Sequence, residues 1–87
     1  KELYVLTSQI QRASDSIALN IAEGSTGQTN PEFRRFLSFA LRSGIEVVSC
    51  LYQARRRKLI DQSKFDYFYS YMTDLIKSIQ ALRNSIK

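Results

Sequence analysis

The sequence predicts an all-α protein, one domain built as an up-and-down antiparallel bundle. Three observations carry this. Apolar residues recur at alternating spacings of three and four along most of the chain, the pattern of helix faces packed on near-parallel partners. Proline occurs once and glycine three times in 87 residues, and all but Gly44 fall between the helical stretches. No stretch alternates apolar and polar residues for long enough to read as a strand.

The first helix is expected over about residues 7–23. Ser8-x-x-Gln11 has capping-box spacing, with Thr7 as a rival cap. Ile10, Ala13, Ile17 and Ile21 fall on one side, and the small residues Ala13, Ser14, Ala18 and Ala22 allow a partner helix to come close. Gly24 suits a left-handed position after the last turn. Ser25–Asn30 reads as a polar loop. The second helix is expected over 31–58, with Asn30 as cap and Pro31 at the first position, where the missing N–H has no partner to lose. Phe33, Leu37, Ala40, Gly44, Val47 and Leu51 form its seam. The third is expected over 62–86, capped by Asp61. Phe65, Phe68, Met72, Leu75, Ile79, Leu82 and Ile86 keep the same rhythm, the most regular in the chain. Only Leu59–Asp61 separate the second and third helices, which forces an antiparallel pair.

Composition excludes several classes. One Cys and no His leave no disulfide framework, zinc finger or His-based catalysis. Cys50 reads as a small buried hydrophobe. No apolar run approaches the ~20 residues of a membrane span and no signal peptide is visible, so the cytoplasm is the expected location. No catalytic set, metal site or cofactor is expected. Ser25-Thr26-Gly27 lacks the Lys and the glycine spacing of a phosphate loop. Asn20, Glu23 and Arg12 read as a polar cluster that fixes helix register.

The second helix shows more than a seam. Outside it lie Phe36, Phe39, Leu41, Ile45, Val48 and Tyr52, more apolar surface than the outer face of a monomer should carry. Either its own chain wraps this helix on several sides, or Phe39, Ile45, Val48 and Tyr52 form a homo-oligomer interface; the second is the sharper expectation. Gly44 costs ~1 kcal/mol relative to Ala in mid-helix. With Ala40 it forms a notch expected to receive the helix bearing Ala13, Ser14 and Ala18. Tyr67, Tyr69 and Tyr71 offer base stacking, but packing is the favoured reading.

The net charge of +5 is uneven. Residues 31–60 hold the whole excess: Arg34, Arg35, Arg42, Arg55, Arg56, Arg57 and Lys58 against Glu32 and Glu46. Arg35, Arg42, Ser49 and Arg56 recur every seven residues and form a polar line. The run Arg55–Lys58 is expected in the last helical turn. Cations there complement the helix dipole, but four in succession repel one another and suggest a polyanion. Arg35, Arg42, Arg55, Arg56, Arg57 and Lys58 are the candidate contacts to RNA or DNA phosphates, giving affinity without sequence readout.

Two blocks carry a resemblance. LTSQIQRASDSIALNIAEG and EFRRFLSFALRSGIEV resemble the bacterial four helix bundle proteins, among them ribosomal RNA intervening-sequence proteins and retroelement accessory proteins. The matched positions include Arg12, Ala13, Ser16, Asn20, Glu23 and Gly24 in the first block, and Phe33, Phe36, Ala40, Ser43 and Glu46 in the second. The resemblance implies a four-helix bundle, often a pentameric ring, and in the retroelement branch engagement of nucleic acid and a reverse transcriptase. Such bundles carry a helix before the point where this sequence opens, so three helices are expected here and the first is expected to be missing. Family members usually have glycine where Arg42 stands, an acidic residue at Val48 and often a basic one at Gln11, so a shared binding surface does not follow. The leading expectation is a non-enzymatic, oligomeric, basic nucleic-acid-binding protein. The alternative is a protein-interaction scaffold.

Overall fold

The computed structural model describes residues 2–26 and 29–87, with Glu2 and Leu3 in backbone only. Gly27 and Gln28 of the expected polar loop lie outside the described residues. The rest form three helices and no strand: α1 Glu2–Gly24, α2 Asn30–Arg56 and α3 Gln62–Ser85. Cys50 near the end of α2 meets Gln9 near the start of α1, and Asn30 opening α2 hydrogen-bonds Lys87 beyond the end of α3. Both pairs are therefore antiparallel. α1 packs along one flank of α2 and α3 along the other. No described Cα of α1 comes within 8 Å of one in α3. The Cα trace spans 44 × 22 × 12 Å, an up-and-down helical bundle with one helix position open and α2 as its spine.

The boundaries differ from expectation in ways local chemistry explains. α1 begins at Glu2, because nothing in ELYVL breaks a helix and Leu6 is buried. Ser8 and Gln11 therefore lie in mid-helix and form no capping box; Gln11 Nε2 instead donates to Asp15 Oδ1 at 3.1 Å, one turn on. Gly24 is the last residue of α1, not a left-handed residue after it. A Cβ there would lie 2.8 Å from Phe33 Cδ1 and 2.9 Å from Phe36 Cβ, so the glycine permits the close start of α2. The cap of α2 is Thr29, whose hydroxyl accepts from the Glu32 N–H at 3.4 Å. Asn30 has moved one place into the helix, which frees its amide to donate to the Lys87 carbonyl at 3.0 Å. Asp61 caps α3 as expected.

The far end of α2 is the larger correction. The helix stops at Arg56 and Arg57 caps it. Lys58 takes the left-handed conformation, φ 61°. The Leu59 N–H donates to the Ala54 carbonyl at 2.8 Å and the Lys58 N–H to that of Arg55 at 2.9 Å, the paired bonds of a Schellman ending. Lysine fills the position that glycine usually holds.

The core follows the three seams: Ala13 and Ile17 from α1, Leu37, Ala40, Val47 and Leu51 from α2, Phe65, Met72 and Ile79 from α3. Phe68 and Leu82 of the α3 seam stay exposed. The notch at Gly44 faces mainly α3. A Cβ there would meet Ile76 Cγ1 at 2.9 Å and only graze Ile17 at 4.0 Å, while Ser14 and Ala18 are exposed. The register cluster also differs, since Arg12 and Glu23 are exposed. Asn20 Nδ2 donates to the Ser16 carbonyl at 2.7 Å, and the Ser43 hydroxyl reaches Ser16 Oγ at 2.8 Å across the α1–α2 seam. Cys50 is buried, and that burial, with a smaller contribution from Glu46, raises its thiol pKa. It is an inert packing residue.

Candidate nucleic-acid interface

The α2 side turned away from the core combines both residue sets expected from sequence. Arg35, Arg42, Ser49 and Arg56 are all exposed. Twenty-one residues separate the first from the last, roughly 30 Å along the helix. Between them, at spacings of three and four, stand Phe39, Ile45 and Tyr52. The Arg35 guanidinium lies 5.8 Å from the Phe39 ring centre and that of Arg42 6.0 Å from it. Arginine and aromatic side chains thus share one ridge. Arg35 also makes a 3.6 Å ion pair with Glu32, an exposed contact of small energetic weight.

The basic run does not form a single patch. Arg55 is drawn inward, its guanidinium 4.1 Å from the Phe65 ring centre and 5.3 Å from that of Tyr52. It clamps α2 to α3. Arg56 continues the ridge, while Arg57 and Lys58 belong to the turn. Ser49, Tyr52, Gln53, Arg55 and Arg56 line a shallow depression of about 570 Å³ at this end.

The four expected interface residues also separate. Val48 and Leu41 pack against the core, so the protein's own helices wrap part of the apolar excess. Phe39 is half-buried, with its neighbour Phe36 edge-on at 6.0 Å. Tyr52 lies 5.2 Å from Phe65 and 5.8 Å from Tyr69 of α3; a hydrogen bond with Tyr69 raises its phenol pKa. Ile45 alone of the four is largely in the open, 61 % exposed. Among the tyrosines Tyr69 packs as expected, but Tyr67 and Tyr71 are 68 % and 61 % exposed. With Leu6, Ile10, Val47, Leu51, Phe68 and others they line a groove of about 550 Å³ between α1 and α3, along the open side of the bundle.

Sequence reasoning passed over Arg34, Arg83 and Lys87. Together with Arg35 they line a pocket where α2 begins and α3 ends. The available signal was spacing: Pro31, Arg34 and Ser38 share one face of α2, and Arg83 and Lys87 are four apart.

Among the described residues no three His, Cys, Asp or Glu side chains gather as a metal site requires. No described helix is long and apolar enough to cross a membrane. Compared with known families, residues 1–81 match the 23S rRNA-intervening sequence protein. The chain belongs to this family. No curated protein and no solved structure matches it. In this intervening-sequence family member, several of the residues that carry the resemblance join α1 to α2, while Arg12, Glu23 and Glu46 among them are exposed. Ser16, Asn20 and Ser43 form the polar contact across the seam, and Gly24, Phe33 and Phe36 one packed unit. That part of the family signature in this chain marks a fold, whereas the basic ridge lies on the outer side of α2.

Proposed function

We propose that this intervening-sequence family member is a non-enzymatic cytoplasmic protein that binds RNA or DNA through the phosphates, without reading sequence. The observation that carries this is the α2 ridge. Arg35, Arg42 and Arg56 stand exposed along it with aromatic rings interleaved, and among the described residues Glu32 alone pairs with one of them. Guanidinium groups in a row suit phosphates, and rings beside them suit stacked bases. Each phosphate neutralised releases counterions, so affinity falls steeply with salt. The test is fluorescence anisotropy with a single-stranded RNA across a salt series. The triple variant R35Q/R42Q/R56Q should bind more weakly and flatten the log–log salt slope by about two, at ~0.7 per lost single-strand contact. Salt-independent binding, or none, overturns the reading.

A second reading, a scaffold for protein partners or for homo-oligomer assembly, is favoured by Ile45 on the ridge and by the apolar groove between α1 and α3. It predicts that I45E lowers the assembled mass in light scattering while R35Q/R42Q/R56Q leaves the partner bound.

A further inference from the structure

We infer that the pocket between the start of α2 and the end of α3 is a seat for a single phosphate group, held by Arg34, Arg35, Arg83 and Lys87. This goes beyond the ridge, with which it shares Arg35: the site lies where α2 begins and α3 ends, and a protein that bound no nucleic acid would still present it.

The pocket has a volume of about 340 Å³ and is lined by Pro31, Arg34, Arg35, Ser38, Arg83 and Lys87. No Asp or Glu side chain is in that lining. Among the described residues, none forms an ion pair with Arg34, Arg83 or Lys87, and Arg35 has only its 3.6 Å contact with Glu32. Four cationic residues therefore line one pocket, and among the described residues Glu32 is the acidic side chain paired with any of them. An anion in that space relieves their mutual repulsion.

The cations are also positioned. Arg83 Nε donates to Ser38 Oγ at 2.7 Å, and the Ser38 hydroxyl donates to the Arg34 carbonyl at 3.1 Å. This relay fixes the half-buried Arg83 guanidinium against α2 and leaves its terminal nitrogens for a ligand; one of these makes only a long 3.4 Å contact with Asn84. The bond from Asn30 to the Lys87 carbonyl holds residue 87 beside the pocket. Helix dipoles do not account for the arrangement. Arg83 and Lys87 suit the end of α3, but Arg34 and Arg35 lie near the start of α2, where the dipole disfavours cations. Because the two helices are antiparallel, their end charges oppose each other here, and the side chains set the field. Planar guanidinium groups and an ammonium lining one pocket suit the oxygens of a phosphate.

The test follows the side-chain Nε–H resonance of Arg83 by NMR while inorganic phosphate replaces chloride at constant ionic strength. The resonance should shift saturably. Arg34→Gln, whose side chain makes no bond to the protein among the described residues, should weaken phosphate binding about tenfold, the loss of one charge-assisted contact. Lys64→Gln, at the start of α3 and outside the pocket lining, should leave it unchanged. A shift that never saturates, or equal weakening by both variants, overturns the proposal. RNA oligonucleotides with and without a 5′-phosphate identify the source. Preference for the phosphorylated end, lost in Arg34→Gln, assigns a terminal phosphate. Equal binding of both, weakened by Arg34→Gln, assigns the backbone. RNA binding indifferent to Arg34→Gln assigns a free phosphate.

Discussion

Single residues decide where these helices end. Lys58 holds a left-handed conformation that costs an L-residue with a Cβ ~1–2 kcal/mol relative to a right-handed one. Lys58→Gly is expected to raise the melting temperature, with a gain of about 1 kcal/mol in chemical denaturation. Lys58→Ala, which removes the charge and keeps the Cβ, should not reproduce it. At the next helix start Asp61 Oδ1 accepts from the Lys64 N–H at 2.8 Å and the Ser63 hydroxyl at 3.1 Å. The bond from the Lys64 backbone, then that from Ser63, holds its carboxyl below the usual pKa. A depressed native pKa stabilises the fold fully above the ordinary carboxylate range, and the contribution is lost as pH falls through the lowered value. Asp61→Ala should therefore melt below the parent at pH 7, and thermal melts should show the gap narrowing as pH falls below the ordinary carboxylate range. Asp61 was legible in the sequence because a capping aspartate directly before a helical pattern has a strong local signature. The end at Arg56 was not. A basic run reads as helix, and the residue that breaks it is a lysine in a place where glycine is the usual signal.

Between elements, what matters is which helix approaches which. The sequence showed that Gly44 makes room for a neighbour, but periodicity does not name the neighbour, and the structure gives α3 through Ile76. A methyl at Gly24 is expected to cost more than one at Gly44. At Gly24 it meets Phe36 Cβ, fixed to the backbone of α2, so α1 and α2 must separate. At Gly44 it meets the Ile76 side chain, which can shift, and helix propensity returns ~1 kcal/mol. Overpacking costs typically about 1–3 kcal/mol, so denaturation should rank Gly24→Ala below Gly44→Ala and both below the parent. The α2–α3 pair has its own clamp at Arg55. Cation–ring contact and packing of the stem together give roughly 1–2 kcal/mol, and Arg55→Ala should lose most of it. In a double-mutant cycle with Phe65→Leu the two losses should fall short of additivity, since each removes the same contact. An arginine that ties two helices is hard to tell from one awaiting a phosphate by sequence alone. Both sit in a basic run, and only the ring 4.1 Å away distinguishes Arg55 from Arg56.

At the scale of the molecule, the sequence was right about helix order and antiparallel course, because connections of a few residues leave little choice. It could not show that two expected surfaces are one surface. Heptad spacing placed the arginines on a line and the apolar excess beside it, yet the partial burial of Val48 and Leu41 and the ring contacts of Tyr52 with α3 leave Ile45 as the most open apolar residue of the ridge, standing between Arg42 and Ser49. A copy-to-copy contact through Ile45 would bury arginines; a phosphate chain on those arginines would cover Ile45. The two uses compete, and one position separates them. Ile45 is largely solvated, so either charge is tolerated there without unfolding. If the ridge meets nucleic acid, I45E places a carboxylate among the guanidinium groups and weakens RNA binding, whereas I45K strengthens it, each by about threefold to tenfold at low salt, with the difference fading as salt rises. If the ridge meets another copy of the chain, both substitutions bury a charge in an apolar contact and lower the assembled mass alike, whatever their sign. Anisotropy titration and sedimentation of the same two variants read these outcomes side by side. On the reading proposed above, the sign of the charge at position 45 governs RNA affinity and leaves the sedimentation coefficient unchanged.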